Sequence, residues 1–347
     1  ELMRSLKELV RPNILALAPH SIAREQNAGH TAHVFLDANE NPYNKPYNRY
    51  PDPLQRELKE AIAKVKNVES KQIFLGNGSD EAIDLCYRIF CQPGIDNVVA
   101  IEPTYSRYKT YADINDVEYR AVPLDDDFQL NAERLLSACD KQTKLIWICT
   151  PNNPTGNNIN TKEIEKVLRT FNGIIVIDEA YSDFSRQRTF RERLEEFPNI
   201  IVLNTFSNAW GCAAIRLGMA FAQEDIIQFF NKVKQSYNIS SLTQEQAIEA
   251  LRNRFDTDEW VRILLGERNR MLQAFSELPS CVKVYPTDAN FFLARMTDAQ
   301  ATYDYLANQG IIVRNKTQVT LCDNCLRITI GARAENSELL GALRRFK

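Results

Sequence analysis

The chain has 347 residues, of which 44% are hydrophobic and 25% are charged, as is typical of a globular protein long enough for two domains. Its 42 basic and 45 acidic residues give a net charge of -3 without a basic tail, so a nucleic-acid partner is not expected. No apolar run of about 18 residues predicts a membrane span, and the first residues lack the apolar segment of a signal peptide, so we expect a cytoplasmic protein.

Two predicted regions open the chain. Residues 1–47 are rich in proline and asparagine and predict an N-terminal arm, and residues 48–236 predict a large domain. In that domain short runs that are apolar throughout alternate with polar helical segments, which indicates parallel strands covered on both faces. The pattern predicts a doubly wound α/β domain with a mostly parallel sheet. The predicted strands are residues 72–75, 97–101, 144–149, 173–177, 200–203 and 218–222, and the predicted helices include residues 131–138 and 161–170.

Residues 237–347 predict a smaller α/β domain, which the chain enters from a helix at residues 224–237. A long helical stretch comes first, and short strands and helices alternate after it. They are predicted at residues 242–278, 282–285, 290–295, 298–309, 311–314 and 326–330, and a final helix follows. The eight cysteines are scattered, as expected for buried reduced thiols, and the lone CxxC motif at residues 322–325 does not predict a metal or redox site.

Polar residues follow the predicted strands of the large domain, and in open α/β sheets ligands bind beyond the carboxyl ends of the strands. Asn153 follows one strand, Asp178 and Tyr181 follow the next, and Ser207 follows a third. Arg216 precedes the last predicted strand. Each residue alone could be a helix cap or part of a turn. Together they predict a binding site at one edge of the sheet.

A second motif ends a strand and opens a helix at Gly76-Asn77-Gly78-Ser79-Asp80. Glycines let backbone N–H groups approach an anion, and a helix N-terminus favours negative charge. Ser79 could also be a plain helix cap, and the two roles can coexist. Tyr105 follows another strand and could either stack on a ligand ring or fill the core.

These motifs, in their order and spacing over nearly the whole chain, resemble the histidinol-phosphate aminotransferase family of class II, fold-type I pyridoxal-phosphate-dependent aminotransferases. The resemblance implies pyridoxal 5'-phosphate as cofactor and a homodimer with active sites near the subunit interface. It also implies a reaction in histidine biosynthesis, in which histidinol phosphate and 2-oxoglutarate give imidazole-acetol phosphate and glutamate. The segments that carry it are residues 37–42, 49–51, 76–81, 103–105, 152–156, 178–181, 205–218 and 326–331.

The resemblance implies roles for individual residues. Asp178 would keep the pyridine nitrogen protonated, Asn153 and Tyr181 would hydrogen-bond the phenolate oxygen, and Ser207 and Arg216 would bind the phosphate. The remaining predicted cofactor contacts are Gly78, Ser79, Asp80, Tyr105 and, from the neighbouring subunit, Tyr50. The predicted substrate contacts are Arg327, Arg314, Asn39 and His20, the last at a position where the family usually has tyrosine.

Asn208 departs from the family, which has at this position the lysine that binds the cofactor's aldehyde and carries a proton during catalysis. An amide nitrogen has its lone pair delocalised and does neither, so we predict noncovalent cofactor binding and poor transamination. Three explanations compete for the asparagine at position 208. It is an engineered or variant residue in an otherwise normal enzyme, a natural residue in a noncatalytic protein that binds the cofactor, or an error in the sequence. The first and third are favoured, because the other site residues are intact.

Alternative functions remain at this point. Within the same superfamily they are a related aromatic aminotransferase and a threonine-phosphate decarboxylase. From another functional class, the alternative is a noncatalytic protein that binds pyridoxal phosphate as a carrier or regulator, and an asparagine codon at position 208 of the gene would favour it.

Overall fold

The protein is described here by a computed structural model that covers residues 3–346, within which the strands form two sheets. The larger sheet contains β1 (Ile73–Asn77), β2 (Asn97–Glu102), β3 (Glu118–Pro123), β4 (Thr143–Cys149), β5 (Ile174–Asp178), β6 (Ile200–Thr205) and β7 (Leu217–Phe221). The smaller sheet contains β8 (Cys281–Val284), β9 (Phe291–Met296), β10 (Arg314–Asn315) and β11 (Cys325–Thr329).

The helices flank both sheets. They are α1 (Leu6–Leu9), α2 (Pro12–Ala16), α3 (Ala23–Gln26), α4 (Arg56–Lys66), α5 (Ser79–Phe90), α6 (Arg107–Ile114), α7 (Ala132–Ser137), α8 (Thr161–Thr170), α9 (Glu224–Val233), α10 (Ser241–Arg252), α11 (Arg254–Ser276), α12 (Ala299–Asn308) and α13 (Arg333–Arg345). None of these described helices has both the length and the apolar character needed to cross a bilayer.

The larger sheet has the order β1-β7-β6-β5-β4-β2-β3, in which β3, β2, β4, β5 and β6 pair in parallel. Only β7 among these strands runs against its neighbours β1 and β6. This topology confirms the predicted doubly wound, mostly parallel α/β fold. Ile175 and Ile177 of β5 pack into one hydrophobic core, and Ile174 and Val176 pack into the core on the other face. Burial on both faces explains why the strands are apolar throughout.

One strand was not predicted, and two predicted elements differ from the observed ones. The strand β3 was missed, because it lies at the sheet edge and most of its residues are partly or fully exposed. The helical stretch predicted at residues 242–278 is divided into α10 and α11 at Asn253. The strand predicted at residues 311–314 is reduced to the two residues of β10. In the predicted arm, Leu9, Val10 and Ile14 are buried in one core of the larger sheet.

A test of this packing uses Gly218 on β7, where an added Cβ would lie 2.1 Å from the backbone nitrogen of Ser79. Gly218→Ala is expected to lower the free energy of unfolding by about 3 kcal/mol, because the first turn of α5 must move. Gly266→Ala on α11 is the control, since no described atom outside the adjacent residues and the backbone of the neighbouring helical turns lies within 4 Å of the added carbon. It should gain about 0.5–1 kcal/mol from helix propensity. Urea titrations of both variants measure the effects, and equal shifts would contradict the prediction.

Candidate active site

Asp178 ends β5 between β4 and β6, and it is only 2% exposed. Its Oδ2 accepts a hydrogen bond from the Tyr108 hydroxyl at 2.5 Å, and its Oδ1 accepts one from the backbone N–H of Ala180 at 3.1 Å. Burial raises the pKa of Asp178 to about 6, although both hydrogen bonds act to lower it. A buried carboxylate without an ion-pair partner among the described residues is a site that a cationic nitrogen would stabilise.

Tyr108 was missed by the sequence analysis. It lies on α6 and stacks on Trp147 of β4 with ring centroids 4.7 Å apart, and this packing directs its hydroxyl toward Asp178. Tyr105 contacts it edge-on at 5.6 Å and donates a hydrogen bond to Asp80 at 3.1 Å. In the sequence Tyr108 looks like any core aromatic residue, because its contacts with Trp147 and Asp178 join segments that are far apart along the chain.

Asn153 joins two parts of the site. Its Nδ2 donates to the Tyr181 hydroxyl oxygen at 3.2 Å, and its Oδ1 accepts from Arg327 Nη1 at 2.7 Å. Burial is the main cause that raises the pKa of Tyr181 and lowers the pKa of Arg327. Tyr181 therefore stays protonated at neutral pH, and its hydrogen remains available for a ligand oxygen.

The loop after β1, the start of α5 and the residues before β7 form an anion cradle, which consists of Gly78, Ser79, Ser207 and Arg216. Gly78 has φ +71°, a conformation that other residues rarely adopt, and a Cβ there would lie 2.6 Å from Arg216 Nη2, so a side chain would strain the backbone and displace the guanidinium. Arg216 Nη1 lies 3.4 Å from Ser207 Oγ, and the twelve-residue helix α5 begins at Ser79. A guanidinium beside a helix N-terminus suits a phosphate group.

Asn208 lies in the loop after β6, beside the segment that follows β5. Its side-chain Nδ2 is 3.4 Å from the carbonyl oxygen of Ala180, and its backbone carbonyl accepts a hydrogen bond from the backbone N–H of Gly211 at 3.0 Å. Position 208, where the resemblance places a lysine, therefore lies beside the segment that carries Asp178 and Tyr181.

A cleft of about 600 Å³ opens beside these residues. It brings together five of the predicted contacts, together with a lysine that the sequence analysis did not consider. The lining includes Tyr105, Asn153, Tyr181, Arg314, Arg327 and Lys316.

Three predicted contacts lie elsewhere in the single chain. His20 lines a separate cavity with Lys232 and Lys234. Asn39 and Tyr50 line a third cavity, where Tyr50 stacks on Tyr237 with ring centroids 4.5 Å apart. The structure of one chain therefore does not bring His20, Asn39 or Tyr50 to the cleft.

The site combines a buried carboxylate, which no cationic side chain of the described residues pairs with, and a cradle in which a guanidinium lies beside a helix N-terminus. Asn153 and Tyr181, which are hydrogen-bonded to each other, line the cleft and supply hydrogen-bond donors there. The donor set fits a ligand that carries a ring cation, an oxygen acceptor and a phosphate. Within the described residues no cluster of side chains suits a metal ion, and Cys322 and Cys325 are free, buried thiols.

The chain is similar to known proteins over almost its whole length. The sequence model of the family described as aminotransferase class I and II matches residues 23–346. The histidinol-phosphate aminotransferase of Bacteroides fragilis strain YCH46 is 56% identical over 99% of this chain and 100% of that protein. The histidinol-phosphate aminotransferase of Cytophaga hutchinsonii is 47% identical over 99% of both chains.

Solved structures support the fold. The histidinol-phosphate aminotransferase of Sinorhizobium meliloti, in complex with pyridoxal-5'-phosphate, has a TM-score of 0.78 at 23% identity and covers 96% of both chains. That of Clostridium acetobutylicum has a TM-score of 0.80 at 24% identity, over 86% of this chain and 90% of the other. From the family match and the full-length relatives, the chain belongs to the class I and II aminotransferases, in the branch of the histidinol-phosphate aminotransferases.

Proposed function

We propose that this chain binds pyridoxal 5'-phosphate and acts on histidinol phosphate and 2-oxoglutarate, to give imidazole-acetol phosphate and glutamate in histidine biosynthesis. The observation that carries the proposal is the combination of buried Asp178 with the anion cradle at the same edge of the sheet. Relatives that are named for this activity and are up to 56% identical over the full chain support it.

Each residue of the site has a role in this proposal. When bound, pyridoxal phosphate supplies a protonated pyridine ring that withdraws electrons from the Cα–H bond of the amino substrate. Asp178 keeps the ring nitrogen protonated, because a neighbouring carboxylate favours the cation. Asn153 and Tyr181 donate hydrogen bonds to the phenolate oxygen. The anion cradle binds the phosphate, while Asp80 holds Tyr105 by the hydrogen bond at 3.1 Å so that its ring can cover the cofactor.

The substrate and the second subunit complete the proposed site. Arg327 and Arg314 bind the anionic end of the substrate, as phosphate or carboxylate. The active protein is a cytoplasmic homodimer, in which Tyr50 of one subunit contacts the cofactor phosphate of the other. Tyr50 is 51% exposed in the single chain, and Leu36 and Phe255 are exposed to 93% and 73%. Such exposed apolar side chains support an interface, in which His20 and Asn39 also approach the substrate.

Asn208 sets the expected rate. Its amide neither forms a covalent bond with a carbonyl compound nor accepts a proton at neutral pH, so the chain lacks a proton carrier at this position. We predict that Asn208→Lys raises the transamination rate at least about 10²–10⁴-fold, the contribution of one general acid–base group. Borohydride treatment followed by mass spectrometry should fix the cofactor to the polypeptide in this variant only.

The control is Asn208→Gln, which keeps an amide and should behave like the unchanged chain. Covalent attachment of the cofactor to the unchanged chain after borohydride treatment would contradict the proposed role of position 208. An inactive Asn208→Lys variant that still binds the cofactor would contradict the proposed reaction.

A second function is favoured by Asn208 itself, namely noncatalytic binding of pyridoxal phosphate. A cofactor titration of the unchanged chain, together with the sequence of codon 208 in the gene, separates the two functions. Tight binding with an asparagine codon supports the noncatalytic function, whereas a lysine codon supports the enzyme.

Asp178 gives a further prediction with a defined pH dependence. Its pKa of about 6 in the folded protein exceeds the ordinary value of about 3.9, so the ionised group destabilises the cofactor-free fold as pH rises from about 4 to 6. Asp178→Asn should therefore raise the free energy of unfolding by about 2 kcal/mol at pH 7.5 and leave it unchanged at pH 4. Urea titrations at both pH values measure this difference.

Glu179 offers a matched control. It is also buried, its pKa is raised to about 7 by burial, and it accepts hydrogen bonds from Thr189 and the Phe190 N–H instead of facing the site. Glu179→Gln should stabilise the fold at alkaline pH and leave cofactor affinity unchanged. Asp178→Asn should weaken the affinity about tenfold or more, because a charged hydrogen bond is lost. Equal affinities for the two variants would exclude Asp178 as the partner of the ring nitrogen.

A further inference from the structure

Three cations share one face of the smaller sheet at the cleft. In the antiparallel pair of β10 and β11, Arg314 lies directly opposite Arg327. Lys316 follows Arg314 by two residues and donates its backbone N–H to the carbonyl of Cys325 at 2.9 Å, which extends the same pairing. Side chains at positions i and i+2 of a strand point to the same face, and all three residues line the cleft. Like charges opposite each other destabilise a sheet, so this arrangement calls for an anion.

The protein supplies no counter-charge to these cations. Throughout residues 3–346, none of the three forms an ion pair with a carboxylate, and the hydrogen bond of Arg327 goes to the neutral amide of Asn153 at 2.7 Å. Two carboxylates line the same cleft, of which Asp113 pairs with Lys109 at 2.8 Å and Glu102 lies at the end of β2. Burial and the two arginines lower the pKa of Lys316 to about 8, so a bound anion would relieve this repulsion.

We propose that Lys316 is a specificity-determining residue, which completes with Arg314 and Arg327 a three-cation subsite for a phosphate monoester at the far end of the substrate. The inference rests on the proposed function and adds to it the residue that distinguishes the two substrates. A phosphate monoester carries a charge of about -1.5 to -2 at pH 7, whereas the distal carboxylate of 2-oxoglutarate carries a single negative charge. Two arginines can pair with both oxygens of a planar carboxylate. The ammonium group of a lysine adds a further positive charge, which attracts the more highly charged phosphate more strongly than the carboxylate.

Steady-state kinetics of the Asn208→Lys parent test the proposal. Adding Lys316→Gln should raise KM for histidinol phosphate about tenfold, as expected for one charged contact, and KM for 2-oxoglutarate by less than about threefold. The value of kcat should change little, because Lys316 binds the end of the substrate that does not react. Lys316→Arg should restore most of the affinity. Lys109→Gln is the matched control, since Lys109 lines the same cleft but is neutralised by Asp113, and both KM values should stay unchanged.

A second measurement uses the unchanged chain loaded with cofactor. Calorimetric titration compares this chain with its Lys316→Gln variant, both with Asn208 retained. The variant should bind histidinol phosphate about tenfold more weakly, and it should bind histidinol, which lacks the phosphate, with unchanged affinity. Equal losses for both ligands, equal rises in both KM values, or no change in either would overturn the proposal. An Asn208→Lys parent without turnover would instead count against the proposed function, and the titration then decides the role of Lys316 on its own.

Discussion

The site depends on one constraint: the Asp178 carboxylate is buried, and no cationic side chain of residues 3–346 pairs with it. The energetic cost of burying this carboxylate is reduced by the Tyr108 hydroxyl, which donates a hydrogen bond to Asp178 Oδ2 at 2.5 Å. Tyr108 is held in place by its stacking on Trp147 in the core of the larger sheet. The aromatic packing of the core therefore sets the position of the hydrogen bond, and the hydrogen bond keeps the carboxylate oriented. A cationic ring nitrogen would turn this cost into binding energy, because the attraction is strong where water is excluded.

The strand direction explains why the anion cradle lies at the same edge of the sheet. The parallel strands β1 and β5 end at this edge, with Asn77 and Asp178 as their last residues. Because β7 alone runs the other way, its first residue lies there too, and Arg216 immediately precedes it. The one antiparallel strand thus delivers the guanidinium to the start of α5, and Gly218 allows the two to approach closely.

The sequence allowed prediction of most of the larger sheet and of the residues at its strand ends, because burial on both faces leaves uninterrupted apolar runs. It did not reveal β3, whose exposed edge position removes that signal. The roles of Tyr108 and Lys316 depend on neighbours distant in sequence, namely Trp147 and Arg327. Tyr108 resembles any core aromatic residue in sequence, and Lys316 follows a strand of only two residues. Such roles arise from tertiary contacts that no local pattern records.

Position 208 contributes chemistry rather than structure. The loop around it is held by backbone hydrogen bonds, in which Phe206 pairs with Leu217 and Cys212 pairs with Phe206, each at 3.0 Å. The Phe206 and Trp210 side chains anchor it in the core, whereas the Asn208 side chain donates a hydrogen bond to the Ala180 carbonyl at a distance of 3.4 Å. An exchange between lysine and asparagine therefore leaves the carboxylate, the cradle and the cleft in place. In the proposed function, cofactor binding and proton transfer are therefore separable, since the first would depend on the sheet edge and the second on a single side chain.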